Sequence, residues 1–164
     1  LKALFAGSFN PVTRGHVRLI ERALEFVDEL HVVMSFSGTK SYDLPVSIRE
    51  QLLKKSLKKF PEGKLVIVQW DKLLTEYAKE TGIQTVIRGL RNSTDFDYES
   101  NMANINRKLS DQFETLFLKC EPEYEHISSS AVREILRFDG DVSQFVPEEL
   151  SSELKELQDA FKKN

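Results

Sequence analysis

The chain has 164 residues, 40% of them hydrophobic, which is enough to bury one core and short for two. Its 23 Lys+Arg against 26 Asp+Glu leave a net charge of −3, so the basic surplus of a nucleic-acid binder is missing and any phosphate site must be local. A single cysteine, Cys120, excludes an internal disulfide, and three scattered histidines offer no Cys/His metal cluster, a pattern that fits a reducing cytoplasm.

The first predicted strand, Lys2 to Ala6, carries no charged leader, cleavage site or long apolar span, so neither secretion nor membrane insertion is expected. Val17, Ile20, Leu24 and Val27 then fall on one helical face. A second strand spans Leu30 to Phe36, and Ile48, Leu52, Leu53, Leu57 and Phe60 mark a second helix, which Ser47 and Glu50 should open as a capping box. Strand three is Leu65 to Trp70. A third helix from Leu73 to Thr81 closes at Gly82, and strand four covers Gln84 to Ile87. A fourth helix from about Asp95 to Leu109 precedes strand five, Thr115 to Lys119, and a fifth helix begins at the serines 128 to 130. After an Asp139-Gly140 turn, Pro147 can open a C-terminal helix with Leu150, Leu154, Leu157 and Phe161 on one stripe. Strands alternating with helices, each strand apolar through most of its length, predict an α/β fold: one domain over residues 1–164, with an open five-stranded parallel sheet covered by helices on both faces.

Ligands of such sheets bind beyond the carboxyl ends of the strands, so the loops there are the places to look for chemistry. The first loop, Gly7-Ser8-Phe9-Asn10-Pro11-Val12-Thr13-Arg14-Gly15-His16, is neither a P-loop nor a G-x-G-x-x-G turn. It reads equally as a plain strand-to-helix turn or as an anion site at a helix N-terminus with His16 aimed into it. The second loop, Ser37-Gly38-Thr39-Lys40-Ser41, presents one lysine; a solvated lysine is the commoner case, a point charge on phosphate the alternative. Strand four runs into Arg88-Gly89-Leu90-Arg91, where two guanidinium groups either grip phosphate or are neutralised by Asp95, Asp97 and Glu99. Beyond strand five, Ser128-Ser129-Ser130 supplies more hydroxyls than one N-cap needs and Arg133 follows one turn on, a second anion cradle. Two donor-rich helix ends at one sheet edge suggest a polyphosphate, hence a nucleotide.

Thr13-x-Gly15-His16 after the first strand, with Ile127-Ser128-Ser129-Ser130-x-x-Arg133 late in the chain, resembles the T/H-x-G-H nucleotidyltransferase superfamily. Gly7-Ser8-Phe9-Asn10-Pro11, Arg88-Gly89-Leu90-Arg91 and Asp95-Phe96-x-Tyr98-Glu99 narrow the resemblance to the bacterial phosphopantetheine adenylyltransferases, over almost the whole chain. The resemblance implies a Rossmann-like fold and transfer of the adenylyl group of ATP to 4′-phosphopantetheine, giving dephospho-coenzyme A and pyrophosphate. It implies that His16 stabilises the transition state and touches ATP. Ser8, Phe9, Gly89, Leu90, Arg91 and Glu99 would also contact ATP, together with the segment Tyr124, Glu125, His126, Ile127, Ser128, Ser129 and Ser130. Lys40, Leu74, Arg88 and Asn106, with Ser8, would hold phosphopantetheine. Mg²⁺ is implied with the triphosphate, coenzyme A as a feedback ligand, and a cytoplasmic homohexamer as the assembly. Ser8 replaces the usual threonine and keeps its hydroxyl, Asn10 replaces the usual aspartate and loses a charge, and Tyr124 replaces a frequent tryptophan and keeps an aromatic face.

The phosphate acceptor is already a nucleophile at neutral pH, so the task is to bring two anions together and stabilise charge on the α-phosphate, which suits His16, Lys40, Arg88, Arg91 and helix amides. The alternatives are adenylyl transfer to another phosphorylated acceptor such as nicotinamide mononucleotide, and a non-catalytic ATP-binding module.

Overall fold

A computed structural model of the chain describes residues 1–37 and 39–162. Gly38, which the sequence reading includes in the second loop, lies outside the described residues. The order is β1 (Lys2–Gly7), α1 (Arg14–Ala23), β2 (Glu29–Ser35), α2 (Val46–Leu57), β3 (Leu65–Trp70), α3 (Leu74–Thr81), β4 (Thr85–Leu90), α4 (Ser93–Leu109), β5 (Glu114–Lys119), α5 (Ser129–Arg137) and α6 (Ser151–Glu156). All strand pairs are parallel and the sheet order is β3-β2-β1-β4-β5. The chain winds outward from β1 to β3, crosses back, and winds outward again through β4 and β5. The order therefore reverses between β1 and β4, where a crevice opens at the carboxyl edge.

Side chains alternate across the sheet with period two. Ala3, Phe5, Val32, Met34 and Ile87 face a core shared with α1, α2, α5 and the C-terminal segment. Leu4, Val33 and Val86 face a smaller one with Tyr77 and Ala78 of α3, Ile83 and Phe113. Gly82 ends α3 at φ +73, a left-handed cap that a side chain would strain.

Four expectations need correction. Ser47 and Glu50 do not open α2: Pro45, whose ring presets φ and which has no N–H to satisfy, precedes a helix that starts at Val46, so Ser47 is already inside and Glu50 pairs with Lys54 and Gln69 instead. The terminal helix is not continuous. A 3₁₀ turn at Glu148–Leu150, α6, and another at Gln158–Lys162 replace it, because the last turn tightens where Arg137 Nε donates to the Phe161 carbonyl at 2.9 Å. Its stripe still works: Leu150, Leu154 and Phe161 are fully buried. Strand four runs three residues further, so Arg88 and Gly89 are part of the sheet. Finally, the sheet is not covered everywhere: β5 leaves Leu116 and Phe117 exposed, and α4, 17 residues long, buries none of its side chains. No described helix is long and apolar enough to cross a membrane.

Candidate active site

The crevice between β1 and β4 is a cleft of about 380 Å³. Its walls include Ser8, His16, Lys40, Arg88, Gly89, Arg91, Glu99, Tyr124, Ile127, Ser128, Ser129 and Ser130, so four separate segments of the chain bring their chemically equipped residues to one place. Thr13 and Arg133 border it too, whereas six residues that the resemblance assigned to ligands do not. Phe9 is buried in the core with its ring beneath Gly7, Leu90 is buried in β4, and Glu125 and His126 face outward, Glu125 paired with Lys119. Leu74, at the start of α3, and Asn106, near the far end of α4, are likewise outside the lining.

His16 is held by its own helix. Thr13 is the N-cap of α1: its Oγ accepts the His16 backbone N–H at 3.3 Å, and its own N–H donates to His16 Nδ1 at 3.1 Å. An Nδ1 that accepts a backbone N–H carries no proton, so the ring proton sits on Nε2, leaving that nitrogen as a donor. The Phe9 ring fixes the imidazole further, edge-on at 5.1 Å; Phe9 has φ +47, a backbone state costly for a bulky residue and bound to this loop's shape. Desolvation, then the charges of Arg91 and Arg88, lower the His16 pKa from 6.5 to about 4, so the ligand-free imidazole is neutral at physiological pH.

Both arginines are pre-aimed by carboxylates. Arg88 forks onto Glu99, Nε to Oε2 at 2.8 Å and Nη2 to Oε1 at 2.6 Å, while Nη1 donates to the Ala6 carbonyl on the neighbouring strand. Arg91 forks onto Asp95 at 2.8 and 3.0 Å and reaches the Ile127 carbonyl. The Asp95 carboxyl is held below its usual range by the Arg91 hydrogen bond. Of the two readings of these arginines, the neutralising partners are there, Glu99 for Arg88 and Asp95 for Arg91, and each arginine also lines the cleft. Asp97 takes no part and is exposed.

The three serines divide their work. Ser128 Oγ caps α5 by accepting from Ala131 N at 3.1 Å, Ser129 Oγ donates to the Pro11 carbonyl at 2.8 Å and ties α5 to the first loop, and Ser130 sits exposed beside Arg133. The sequence reading had Asp95 only as a neutraliser of the arginines and motif residue and Thr13 only as a motif residue, and it left Cys120 out of the site. Cys120 and Asp95 also line the cleft, and Thr13 sets the His16 tautomer; the Thr13-x-x-His16 spacing, a capping box with histidine in the usual Glu position, was the available signal for the last.

The comparisons with known proteins agree with this geometry. A profile of the cytidylyltransferase-like family matches residues 4–135. The phosphopantetheine adenylyltransferase of Streptococcus sanguinis (strain SK36) is 40% identical over 156 residues, covering 95% of this chain and 94% of its own; that of Shouchella clausii (strain KSM-K16) is 39% identical over 156 residues, covering 95% and 97%. Among solved structures, a bifunctional NMN adenylyltransferase/ADP ribose pyrophosphatase from Francisella tularensis superposes with a TM-score of 0.76 at 10% identity, over 98% of this chain and 51% of that one, a likeness of fold alone. The chain belongs to the phosphopantetheine adenylyltransferase family, within the cytidylyltransferase-like nucleotidyltransferases.

Proposed function

We propose that the protein transfers the adenylyl group of ATP to 4′-phosphopantetheine, releasing pyrophosphate and forming dephospho-coenzyme A. The observation that carries this reading is the convergence of His16, Lys40, Arg88, Arg91 and the α5 N-terminus on one cleft in which both carboxylates are already committed to arginines. Such a site offers donors and cations but no free base, which suits joining two anions. A phosphate oxygen of the acceptor attacks the α-phosphorus in line, the bond to the bridging oxygen breaks, and pyrophosphate leaves with that electron pair; no proton need be removed from the nucleophile. His16 Nε2–H donates to an α-phosphate oxygen as charge builds there. Arg91 and the Ser128 to Ser130 end of α5 take the ATP phosphates, Ser8 and Gly89 approach the nucleotide as backbone, and Tyr124 offers an aromatic face to the purine. Arg88 and Lys40 take the acceptor.

Asp95 and Glu99 are the acidic groups of the cleft and both face arginine, so Mg²⁺ enters on the triphosphate as part of the substrate rather than on a protein ligand set. Coenzyme A, which shares the pantetheine arm, competes on the acceptor side. A homohexamer would cover the apolar side chains that the single chain leaves bare, Phe96, Ile105 and Leu109 of α4 with Leu116 and Phe117 of β5. The unpaired thiol fits a reducing cytoplasm.

Pyrophosphate release from ATP, followed with phosphopantetheine and with nicotinamide mononucleotide side by side, tests the reading. Release confined to phosphopantetheine supports it; release with the mononucleotide alone, or with neither, overturns it. Cys120 gives a sharper check on the mechanism. Although it borders the cleft, burial pushes its thiol pKa up, so it is a protonated and poor nucleophile. Cys120→Ser should retain near-normal turnover, and loss of activity in a variant with an unchanged circular dichroism spectrum would point to a covalent intermediate.

A further inference from the structure

Next to Arg133 of the cleft wall a single carboxylate joins three elements. Asp43 lies in the loop after β2, three residues beyond Lys40, with its side chain only 9% exposed. Its Oδ2 accepts from Asn10 Nδ2 at 3.3 Å and stands 3.4 Å from Arg133 Nε; its Oδ1 has no hydrogen-bond partner and lies 3.7 Å from Arg137 Nη2. Asn10, 5% exposed, cannot turn its amide round, because Oδ1 accepts the Leu44 N–H at 3.3 Å and so leaves Nδ2 for Asp43. Arg133 closes the ring, with Nη1 donating to the Asn10 carbonyl at 2.8 Å and Nη2 to Ser130 Oγ at 3.2 Å.

Each member of this ring sits a few residues from a group that lines the cleft: Asn10 from Ser8, Asp43 from Lys40, and Arg133, itself in the lining, from Ser130. A carboxylate so enclosed, held at distances long for charge-assisted bonds, is a weak source of stability; an apolar replacement of similar shape would serve the fold as well. What it does supply is register. On the reading of the site as an adenylyltransferase, we propose that Asp43 is a positioning residue that, through Asn10 and Arg133, aligns the loop bearing Lys40 with the nucleotide side of the cleft. Asn10 and Asp43 then form a matched pair in which one carboxylate can sit at either end but not at both or at neither. Two acids at 3.3 Å repel, while two amides leave Arg133 and Arg137 without their counter-charge.

Three full-length variants, Asp43→Asn, Asn10→Asp and the exchanged pair N10D/D43N, test this. Turnover at saturation, KM for ATP and phosphopantetheine, and Tm are measured for each. Misalignment of bound substrates should lower kcat roughly tenfold to a hundredfold in each single variant with both KM values changed far less, and the exchanged pair should recover most of that loss. A purely structural role would move Tm and leave the kcat of folded protein alone. Wild-type kcat in Asp43→Asn overturns the proposal, as does an exchanged chain that fails to fold or turns over no faster than the worse single variant. Should Asp43→Asn not fold, Asn10→Asp against the exchanged pair makes the same comparison. An inactive wild type would instead remove the functional reading beneath it, a result distinct from an active wild type with indifferent variants.

Discussion

His16→Ala is expected to fold normally, to bind ATP within about tenfold of wild type, and to lose about a hundred- to a thousandfold in kcat, roughly 3 to 4 kcal/mol of transition-state stabilisation. The geometry argues for this asymmetry. Thr13 and the Phe9 ring hold the imidazole before any ligand arrives, so no reorganisation is needed when charge develops on the α-phosphate. On the proposed assignment ATP in its ground state has other partners, Arg91 and the α5 amides among them, and should keep them in the variant. Collapse of ATP affinity with turnover per bound substrate retained would make His16 a ground-state binder instead. The charge state has its own readout. In the ligand-free enzyme the imidazole should titrate at about 4 by NMR, and bound triphosphate should raise that value by opposing Arg91 and Arg88. The stability consequence has a definite sign. The unfolded chain takes up this proton near 6.5 and the folded one near 4, so His16 favours folding fully above 6.5, and that contribution is lost as pH falls from 6.5 to 4. In His16→Ala this part of the acid destabilisation should vanish from the melting profile.

Much of the fold could be read from local pattern because β-branched and apolar runs between turn residues are strong signals in a doubly wound sheet. All five strands and α1 to α5 lie where that pattern puts them, within a few residues. The misreadings share a cause. Ser47-x-x-Glu50 has the letters of a capping box, but Pro45 two residues earlier already starts the helix. The C-terminal stripe has helical spacing, yet contacts with α5 tighten and split it. In both cases a neighbour outside the local window decided.

The site divides in the same way. His16, Arg88, Arg91 and the serines 128 to 130 stand out because they are polar groups at strand ends or helix starts, where parallel-sheet topology gathers them. Pairings across long separations leave no such trace. Glu99 could be placed near Arg88 by the turn of a helix, but nothing in the letters brings Asp43 to Asn10, 33 residues away, or Ser129 to the Pro11 carbonyl, 118 residues away. The exposure of α4 and β5 was hidden for a different reason: an apolar strand reads as covered whether its cover is its own chain or another's.

Replacing Arg88 with alanine should lower kcat/KM for phosphopantetheine by roughly a hundredfold or more while weakening ATP binding far less, and Lys40→Ala should be much milder. Lys40 is exposed on a loop, so on the proposed assignment it contributes only a solvated point charge. Arg88 is locked between Glu99 and the Ala6 carbonyl, with its direction set by the sheet itself. Its removal therefore acts twice. A pre-aimed cation is lost, and Glu99, with a side chain only 12% exposed, becomes an uncompensated carboxylate in a cleft that must accept anions. The second effect can be separated from the first. Glu99→Gln placed on Arg88→Ala removes the repulsion without restoring the cation, so the double variant should regain part of the lost kcat/KM even though each change alone is harmful. Calorimetry with each ligand reads the division of labour: equal weakening of ATP and phosphopantetheine would contradict the assignment of Arg88 to the acceptor, and a double variant no better than Arg88→Ala would show that the unpaired Glu99 charge contributes nothing to the loss.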